Sequence, residues 1–213
     1  RQEALREALY GVDGNGGFFG SVDNENAELK AKYEAAGLNY TDQDLHRVSV
    51  ITYAGNSDYS SSTNNVDISY KGLAVKNGFS LPQNVSGGTP THSGMYQAEQ
   101  VFGAGYNGMT SDGQTARNKV VVLFTDGFPG TQSGKSDFNL RWANSAIQSA
   151  ANLKAKGATV YCVGIFSGAS RSDVNDNNTG YTSSTTAGNL ANHFMNAVSS
   201  NASSSVTSFS TTL

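Results

Sequence analysis

Hydrophobic residues are distributed along this chain in two patterns, which predict strands and helices in turn. In the first pattern apolar residues follow one another, as in "VVVLF" (120–124) and "ATVYCVGIF" (158–166), which is typical of buried strands. In the second, apolar residues recur every three or four positions, as from Leu140 to Leu153, which is typical of helices. The patterns predict helices within 1–10, 27–37, 87–105, 137–157 and 187–198, and strands within 47–55, 66–75, 120–124 and 158–166.

Two polar stretches interrupt this pattern. The first, "VDGNGGFFGSVDNEN" (12–26), is rich in turn residues and favours a loop between the first two helices. It contains Asp13, Asn15 and Asp23, but their spacing matches no EF-hand calcium loop, so an ordinary connection is expected. The second, "SSNASSSVTSFSTTL" (199–213), is low in complexity and is predicted to be a linker or a sheet edge.

The fold class follows from the order of these elements. Strands and helices alternate from residue 66 onward, and the two strongest strands, 120–124 and 158–166, are apolar on both faces, as parallel strands covered by helices are. We therefore predict an α/β fold with a doubly wound, mainly parallel sheet flanked by helices. In such sheets ligands bind at the carboxyl ends of the strands, which is where Asp126 lies.

Composition and charge exclude several kinds of partner. A net charge of −3 and an isoelectric point near 5.5 provide no basic field, so neither nucleic acid nor an anionic membrane is an expected partner. No apolar run approaches the ~20 residues of a membrane span. The single cysteine, Cys162, cannot form an intrachain disulfide, and the three histidines lack the spacing of a zinc site.

Three short segments are expected to meet at one rim of the sheet. Gly87-Gly88-Thr89 opens a helix, Thr125-Asp126-Gly127 follows a strand, and residues 164–168 follow the next strand. Hydroxyl and carboxylate oxygens with no basic residue nearby suit Mg²⁺, Mn²⁺ or Ca²⁺. Taken separately, Thr89 is better explained as a helix N-cap, and Asp126 as a cap or Asx-turn residue after a strand. Their expected pairing on one rim is what favours a metal site.

The two turns resemble the motifs of the von Willebrand factor type A family, the module of integrin inserted domains and of many bacterial adhesins. "GGTPTHSGM" (87–95) is similar to the threonine motif of the family and "VVVLFTDG" (120–127) to its aspartate motif. The resemblance implies a Rossmann-like fold with a metal-ion-dependent adhesion site, in which Thr89 and Asp126 bind a divalent cation, usually Mg²⁺. An acidic side chain of a protein ligand would complete the coordination of the metal.

The resemblance also implies a setting and a domain boundary. The composition and the Gly-Gly-Thr-Pro-Thr form are most similar to adhesins of the Gram-positive cell surface and pilus tip. We therefore expect an extracellular protein of the bacterial surface that binds a host matrix or surface protein. The resemblance implies a type A-like domain over residues 1–202 and a polar tail or linker over 203–213.

One motif of the family does not stand at its expected place. The family's Asp-x-Ser-x-Ser motif follows a central first strand and precedes the first helix. The sequence opens within that helix, at Arg1, and shows neither the strand nor the motif before it. The pattern occurs once, from Asp58 to Ser62, but after the strand at 47–55, where we interpret it as a coincidence in a serine-rich loop. We therefore expect a preceding segment of the same protein to supply the missing strand and motif, because a sheet without its central strand leaves backbone groups unpaired.

Two other functional classes compete with this one. A degenerate type A domain that acts as a metal-free structural or interaction scaffold also explains the absent motif. An enzyme is not expected, although Thr89, Thr91 and His92 stand close together in the sequence. Neighbouring positions at a helix start do not aim at one another, and the chain has no Gly-x-Ser-x-Gly nucleophile elbow.

Overall fold

A computed structural model of the protein describes residues 2–12, 16–55, 66–70, 87–103, 108–131, 137–165 and 179–211. The helices are α1 (Gln2–Tyr10), α2 (Gly17–Ala35), α3 (Thr91–Gly103), α4 (Leu140–Ala155) and α5 (Ala187–Val198). The strands are β1 (Ser49–Tyr53), β2 (Val66–Tyr70), β3 (Lys119–Thr125), β4 (Ala158–Gly164), β5 (Gly180–Tyr181) and β6 (Ser210–Thr211). Within these ranges, each helix is too short or too polar to cross a membrane.

The chain divides into two compact units. The first comprises the described residues within Arg1–Val50, Ile68–Asn84 and Asn107–Arg117, and the second those within Ile51–Asp67, Val85–Tyr106 and Asn118–Leu213. Strands β1 and β2, which form a two-stranded sheet, contribute residues to both units.

In the first unit, α2 is longer than the sequence pattern predicts. It begins at Gly17, so the expected loop over residues 12–26 is wrong from Gly17 onward. Two tertiary contacts explain the difference. Phe19 is 3% exposed and packs against a small apolar cluster, and the buried Asn26 accepts a hydrogen bond from the His46 amide at 2.7 Å and donates one to the His46 carbonyl at 3.0 Å. Asn26 disfavours a helix locally, but here both the oxygen and the nitrogen of its side-chain amide have hydrogen-bond partners.

A buried carboxylate, Asp44, joins two loops of the first unit. Its oxygens accept hydrogen bonds from the amide and hydroxyl of Thr41, at 2.8 and 3.1 Å, and from the amide and hydroxyl of Ser111, at 2.8 and 2.7 Å. Burial raises the pKa of Asp44, but the bonds from Ser111 and Thr41 outweigh it and lower the pKa to about 2. Asp44 therefore stabilises the folded state as a carboxylate.

Replacing Asp44 by asparagine is expected to lower the free energy of unfolding of the first unit by about 1–2 kcal/mol, because an amide cannot accept all four bonds. Since the folded-state pKa is depressed, the contribution of Asp44 is fully present above the ordinary pKa of 3.8 and is lost as the pH falls through about 2. Urea unfolding at pH 7 and at pH 2 checks both points. The exposed Asp42→Asn change is the matched control, and equal losses for the two variants at pH 7 would contradict the assignment.

The second unit is built on a parallel strand pair. Strands β3 and β4 are in register from Lys119 opposite Ala158 to Thr125 opposite Gly164. One face of the pair, which includes Leu123 and Val160, packs into a core supplied by α3, α4 and α5. Parallel strands flanked by helices confirm the predicted α/β class.

The other face of this strand pair differs from the expectation that helices cover both faces. We call it the outer face, and its side chains are 41–57% exposed. It consists of Val120, Val122 and Phe124 on β3, Tyr161 and Val163 on β4, and Ile165. Among the described residues, therefore, only one face of the apolar strands β3 and β4 packs against a core.

The chain beyond α5 is fastened to the second unit. The ammonium group of Lys154 donates hydrogen bonds to the carbonyls of Ala197, Ser199 and Ala202, at 3.3, 3.0 and 3.0 Å. The bonds to Ala197 and Ser199 satisfy carbonyls at the end of α5, and the bond to Ala202 ties down the chain that follows. Further on, β6 pairs in parallel with β5, so the predicted tail ends in a sheet edge.

Candidate functional site

The threonine turn, residues 87–91, is held from two sides. The Gly88 carbonyl accepts a hydrogen bond from the Gly55 amide at 3.2 Å, and the Thr89 amide donates to the Gly130 carbonyl at 2.7 Å. Gly87 has a φ of 110°, which favours glycine. A Cβ atom on Gly88 would collide with the Gly130 carbonyl oxygen and stand 2.6 Å from the Thr131 Cα. The double glycine therefore permits the backbone approach that places Thr89.

The aspartate turn follows the end of β3. Thr125 is 7% exposed, and its hydroxyl donates to the Gly127 carbonyl at 2.6 Å and accepts from the Gly127 amide at 3.2 Å. These bonds turn the chain sharply after the strand and present Asp126, which is exposed, at its tip.

The two predicted site residues lie on adjoining turns. A Cβ atom at Gly127 would be 3.3 Å from the Thr89 hydroxyl oxygen, so this hydroxyl lies beside the residue that follows Asp126. The pairing of the threonine and aspartate turns at one rim agrees with the position expected from the sequence. It arises because both turns follow or adjoin the carboxyl end of β3.

Tyr53, at the end of β1, is a rim residue that the sequence did not indicate. Its hydroxyl donates to the Phe124 carbonyl at 2.9 Å, and its ring occupies the space that a side chain on Gly94 would need, 2.6 Å from the Cβ position. Burial raises the pKa of Tyr53 well above its ordinary value, and hydrogen bonds with the side chains of Thr125 and Thr91 oppose this only in part. The phenol is therefore a neutral donor that braces the rim.

The third expected segment is described only at its start. The Ile165 amide donates to the Thr125 carbonyl at 2.9 Å, which extends the β3–β4 ladder to the rim. Residues 166–168, and the Asp58 to Ser62 stretch that carries the Asp-x-Ser-x-Ser pattern, lie outside the described residues.

The rim offers the type of ligand atom that a hard cation prefers, but too few of them. Its side chains offer oxygen atoms: one carboxylate, from Asp126, and the hydroxyls of Thr89, Thr91, Thr125 and Tyr53. Mg²⁺ and Ca²⁺ prefer such oxygen ligands. Among the described residues, however, no group of three or more His, Cys, Asp or Glu side chains stands close enough to hold a metal. A cation held at this rim would need ligands in addition to Thr89 and Asp126.

An aromatic cluster lies beside the aspartate turn. Phe128 contacts Phe138 edge to face, with ring centroids 5.8 Å apart, and Phe138 contacts Tyr181 in the same manner at 5.3 Å. Phe209, beyond α5, stacks on Tyr181 at 5.3 Å. The loop after Asp126 is therefore packed against β5 and the segment that leads into β6.

A comparison with known protein families agrees with this geometry. The sequence model described as the von Willebrand factor type A domain matches residues 29–209, which include both turns of the rim. No curated protein and no solved structure matches the chain.

Proposed function

The chain belongs to the von Willebrand factor type A family, and from this premise we propose that it is a metal-dependent adhesion module that binds a protein ligand outside the cell. Domains of this family commonly mediate adhesion or protein interaction. In the proposed mode a divalent cation, Mg²⁺ by preference and otherwise Mn²⁺ or Ca²⁺, is held at the rim, and an acidic group of the ligand completes its coordination. The proposed setting is the surface or pilus tip of a Gram-positive bacterium, with a host matrix or surface protein as partner.

The observation that carries this proposal is the contact of the threonine and aspartate turns. Thr89 and Asp126 are separated by a strand, a helix and a loop in sequence, yet Thr89 Oγ1 lies 3.3 Å from the Cβ position of Gly127. Asp126 is exposed, so an incoming ligand and a cation can both reach it. A carboxylate and a hydroxyl placed together at the carboxyl end of a parallel strand favour a cation over a purely structural turn.

We assign the remaining metal ligands to a segment that precedes residue 1 in the full protein. The edge of β3 supports this assignment. The Thr125 carbonyl faces β4, since it accepts the Ile165 amide, and carbonyls alternate along a strand, so the Phe124 carbonyl faces the opposite edge. Among the described residues, no strand pairs with that edge, and the Phe124 carbonyl accepts the hydroxyl group of Tyr53 instead. An added strand there would end beside Asp126, where the Asp-x-Ser-x-Ser motif is needed.

Titration calorimetry with Mg²⁺ and Mn²⁺ tests the proposal on two proteins: the 213-residue chain and a version extended by the residues encoded upstream of Arg1. We expect clear binding by the extended protein. In that protein Asp126→Asn should weaken metal binding by at least about a hundredfold with little change in stability, since a direct ligand is lost. Gly127→Ala should weaken it less, because its new methyl group presses on the Thr89 hydroxyl.

The matched control is Asp112→Asn, which removes an exposed turn carboxylate of the first unit and should leave metal binding unchanged. Absence of heat and of any thermal shift in the extended protein with both metals would overturn the proposal. That result would favour the metal-free scaffold instead.

A further inference from the structure

One edge of β3 has no partner strand in the described part of the chain. The main-chain groups of a strand point alternately to its two sides. Since Thr125 faces β4, through the bond from the Ile165 amide to its carbonyl, the N–H and C=O groups of Val120, Val122 and Phe124 point to the opposite side. This free edge therefore carries the donors and acceptors of one more ladder.

The side chain of Tyr53 closes the end of the free edge that lies nearest the rim. Its hydroxyl donates to the Phe124 carbonyl at 2.9 Å, and both residues belong to the second unit. Tyr53 ends β1, and together with Ile51 it packs against the same core as β3. Among the described strands, however, β1 pairs with β2 and β3 pairs with β4. Strands β1 and β3 are thus connected here by a side chain and not by main-chain bonds.

The Tyr53 hydroxyl stands where the backbone of an added strand would lie. A donor approaches a carbonyl oxygen near the plane of the peptide group, which at a strand edge is the direction of the next strand. Neighbouring strands lie about 4.7–4.9 Å apart. An added strand would therefore need the position that the phenol oxygen holds, 2.9 Å from the Phe124 oxygen. Pairing with the free edge requires the phenol to leave this carbonyl.

A displaced phenol would still have hydrogen-bond partners. The side chains of Thr91 and Thr125 form hydrogen bonds with Tyr53. A phenol has a single O–H donor, and at present it is given to the Phe124 carbonyl. Once that carbonyl is lost, the proton can be donated to either threonine oxygen. Thr91 belongs to the threonine turn and Thr125 precedes Asp126, so the phenol would then bond to the two turns of the rim alone.

We infer that Tyr53 is a placeholder at a strand-docking edge. Its hydroxyl bonds to the Phe124 carbonyl until a strand of the segment that precedes residue 1 pairs with β3, and it then bonds to the threonine hydroxyls of the rim. The inference rests on the proposed origin of the missing strand. Because an unpaired edge invites pairing with other chains, a phenol at its end protects the edge until its own strand arrives. Docking of that strand and fixing of the two turns become one coupled step.

The test follows the carbonyl carbon of Phe124 by NMR in the 213-residue chain and in the protein extended by the residues encoded upstream of Arg1. The pair Phe-Thr occurs once in the 213 residues, at 124–125, so carbonyl-¹³C phenylalanine with ¹⁵N threonine gives this peptide group a signal of its own. Tyr53→Phe keeps the ring, which packs beside Gly94, and removes only the hydroxyl. In the 213-residue chain we expect the carbon signal to move upfield, because the carbonyl loses its donor. In the extended protein the signal should not change, because a main-chain amide is then the donor.

Tyr161→Phe is the matched control, since Tyr161 is 57% exposed on β4, and this change should leave the signal of the 213-residue chain unchanged. An equal shift with Tyr53→Phe in both proteins would mean that the phenol keeps its place, and the inference would be wrong. Absence of a shift in both proteins would contradict it as well. Metal calorimetry on the extended protein is a separate readout. Metal binding with an equal shift refutes this inference alone, whereas the expected shifts without metal binding refute the proposed function alone.

Discussion

Replacing Gly88 by alanine is expected to lower the free energy of unfolding of the second unit by about 3 kcal/mol and to disrupt the rim. The new Cβ atom would meet the Gly130 carbonyl oxygen and the Thr131 Cα, the latter at 2.6 Å. Both obstacles are backbone atoms, so neither can move aside by changing a rotamer. The turns that carry Thr89 and Asp126 must separate, and the Thr89 amide loses its bond to Gly130.

The only tryptophan, Trp142, provides the measurement, because it is 4% exposed in the core of the second unit and its fluorescence follows unfolding in urea. Gly20→Ala is the matched control, since the same change is made within α2 where no atom lies within 4 Å of the new Cβ. It should stabilise the helix by about 0.5–1 kcal/mol. Equal unfolding midpoints for Gly88→Ala and the unmodified chain would contradict the tight approach of the two turns.

The second large effect is expected from Phe194→Ala, with a loss of about 3–5 kcal/mol. Phe194 lies on α5, is 0% exposed and is the largest of the fully buried side chains among the described residues. Its removal takes away the transfer free energy of an aromatic ring and leaves a cavity between the helices and the parallel strands. The unfolding midpoint in urea, followed through Trp142, should fall accordingly.

Phe18→Ala is the corresponding control, because Phe18 is 50% exposed on α2. The change should cost no more than about 0.5 kcal/mol. If both phenylalanine variants cost the same, α5 does not pack as described. Comparison of Gly88→Ala with Phe194→Ala separates damage to the rim from damage to the core. Metal binding by the extended protein should fail with Gly88→Ala at temperatures where that variant is still folded.

The sequence pattern predicted the longer elements of the second unit, namely its three helices and the strands β3 and β4, but not the two-residue strands β5 and β6. The apolar run of β3 and the helical spacing from Leu140 to Leu153 each indicate one secondary structure strongly, so local and tertiary preferences agree. The start of α2 was not predictable in this way. Its first turns contain glycines, and Asn26 disfavours a helix unless it finds partners, which it does in the backbone of His46.

The candidate site was predictable in part for similar reasons. Thr89 and Asp126 were placed at one rim because parallel strands present their carboxyl ends at a common edge. Tyr53 was missed because its role depends on a hydrogen bond to Phe124, 71 positions away in the sequence.

The outer face has a practical consequence for handling this polypeptide. Its valine, phenylalanine and tyrosine side chains are exposed, and one of its two strands, β3, has the sequence "KVVVLFT", in which Lys119 is the single charged residue. Exposed apolar strands with few charged residues are templates on which further copies add, and this route leads to aggregation. The isolated chain should therefore self-associate as its concentration rises, and a lysine substituted on this face, for example Val122→Lys, should restore its solubility.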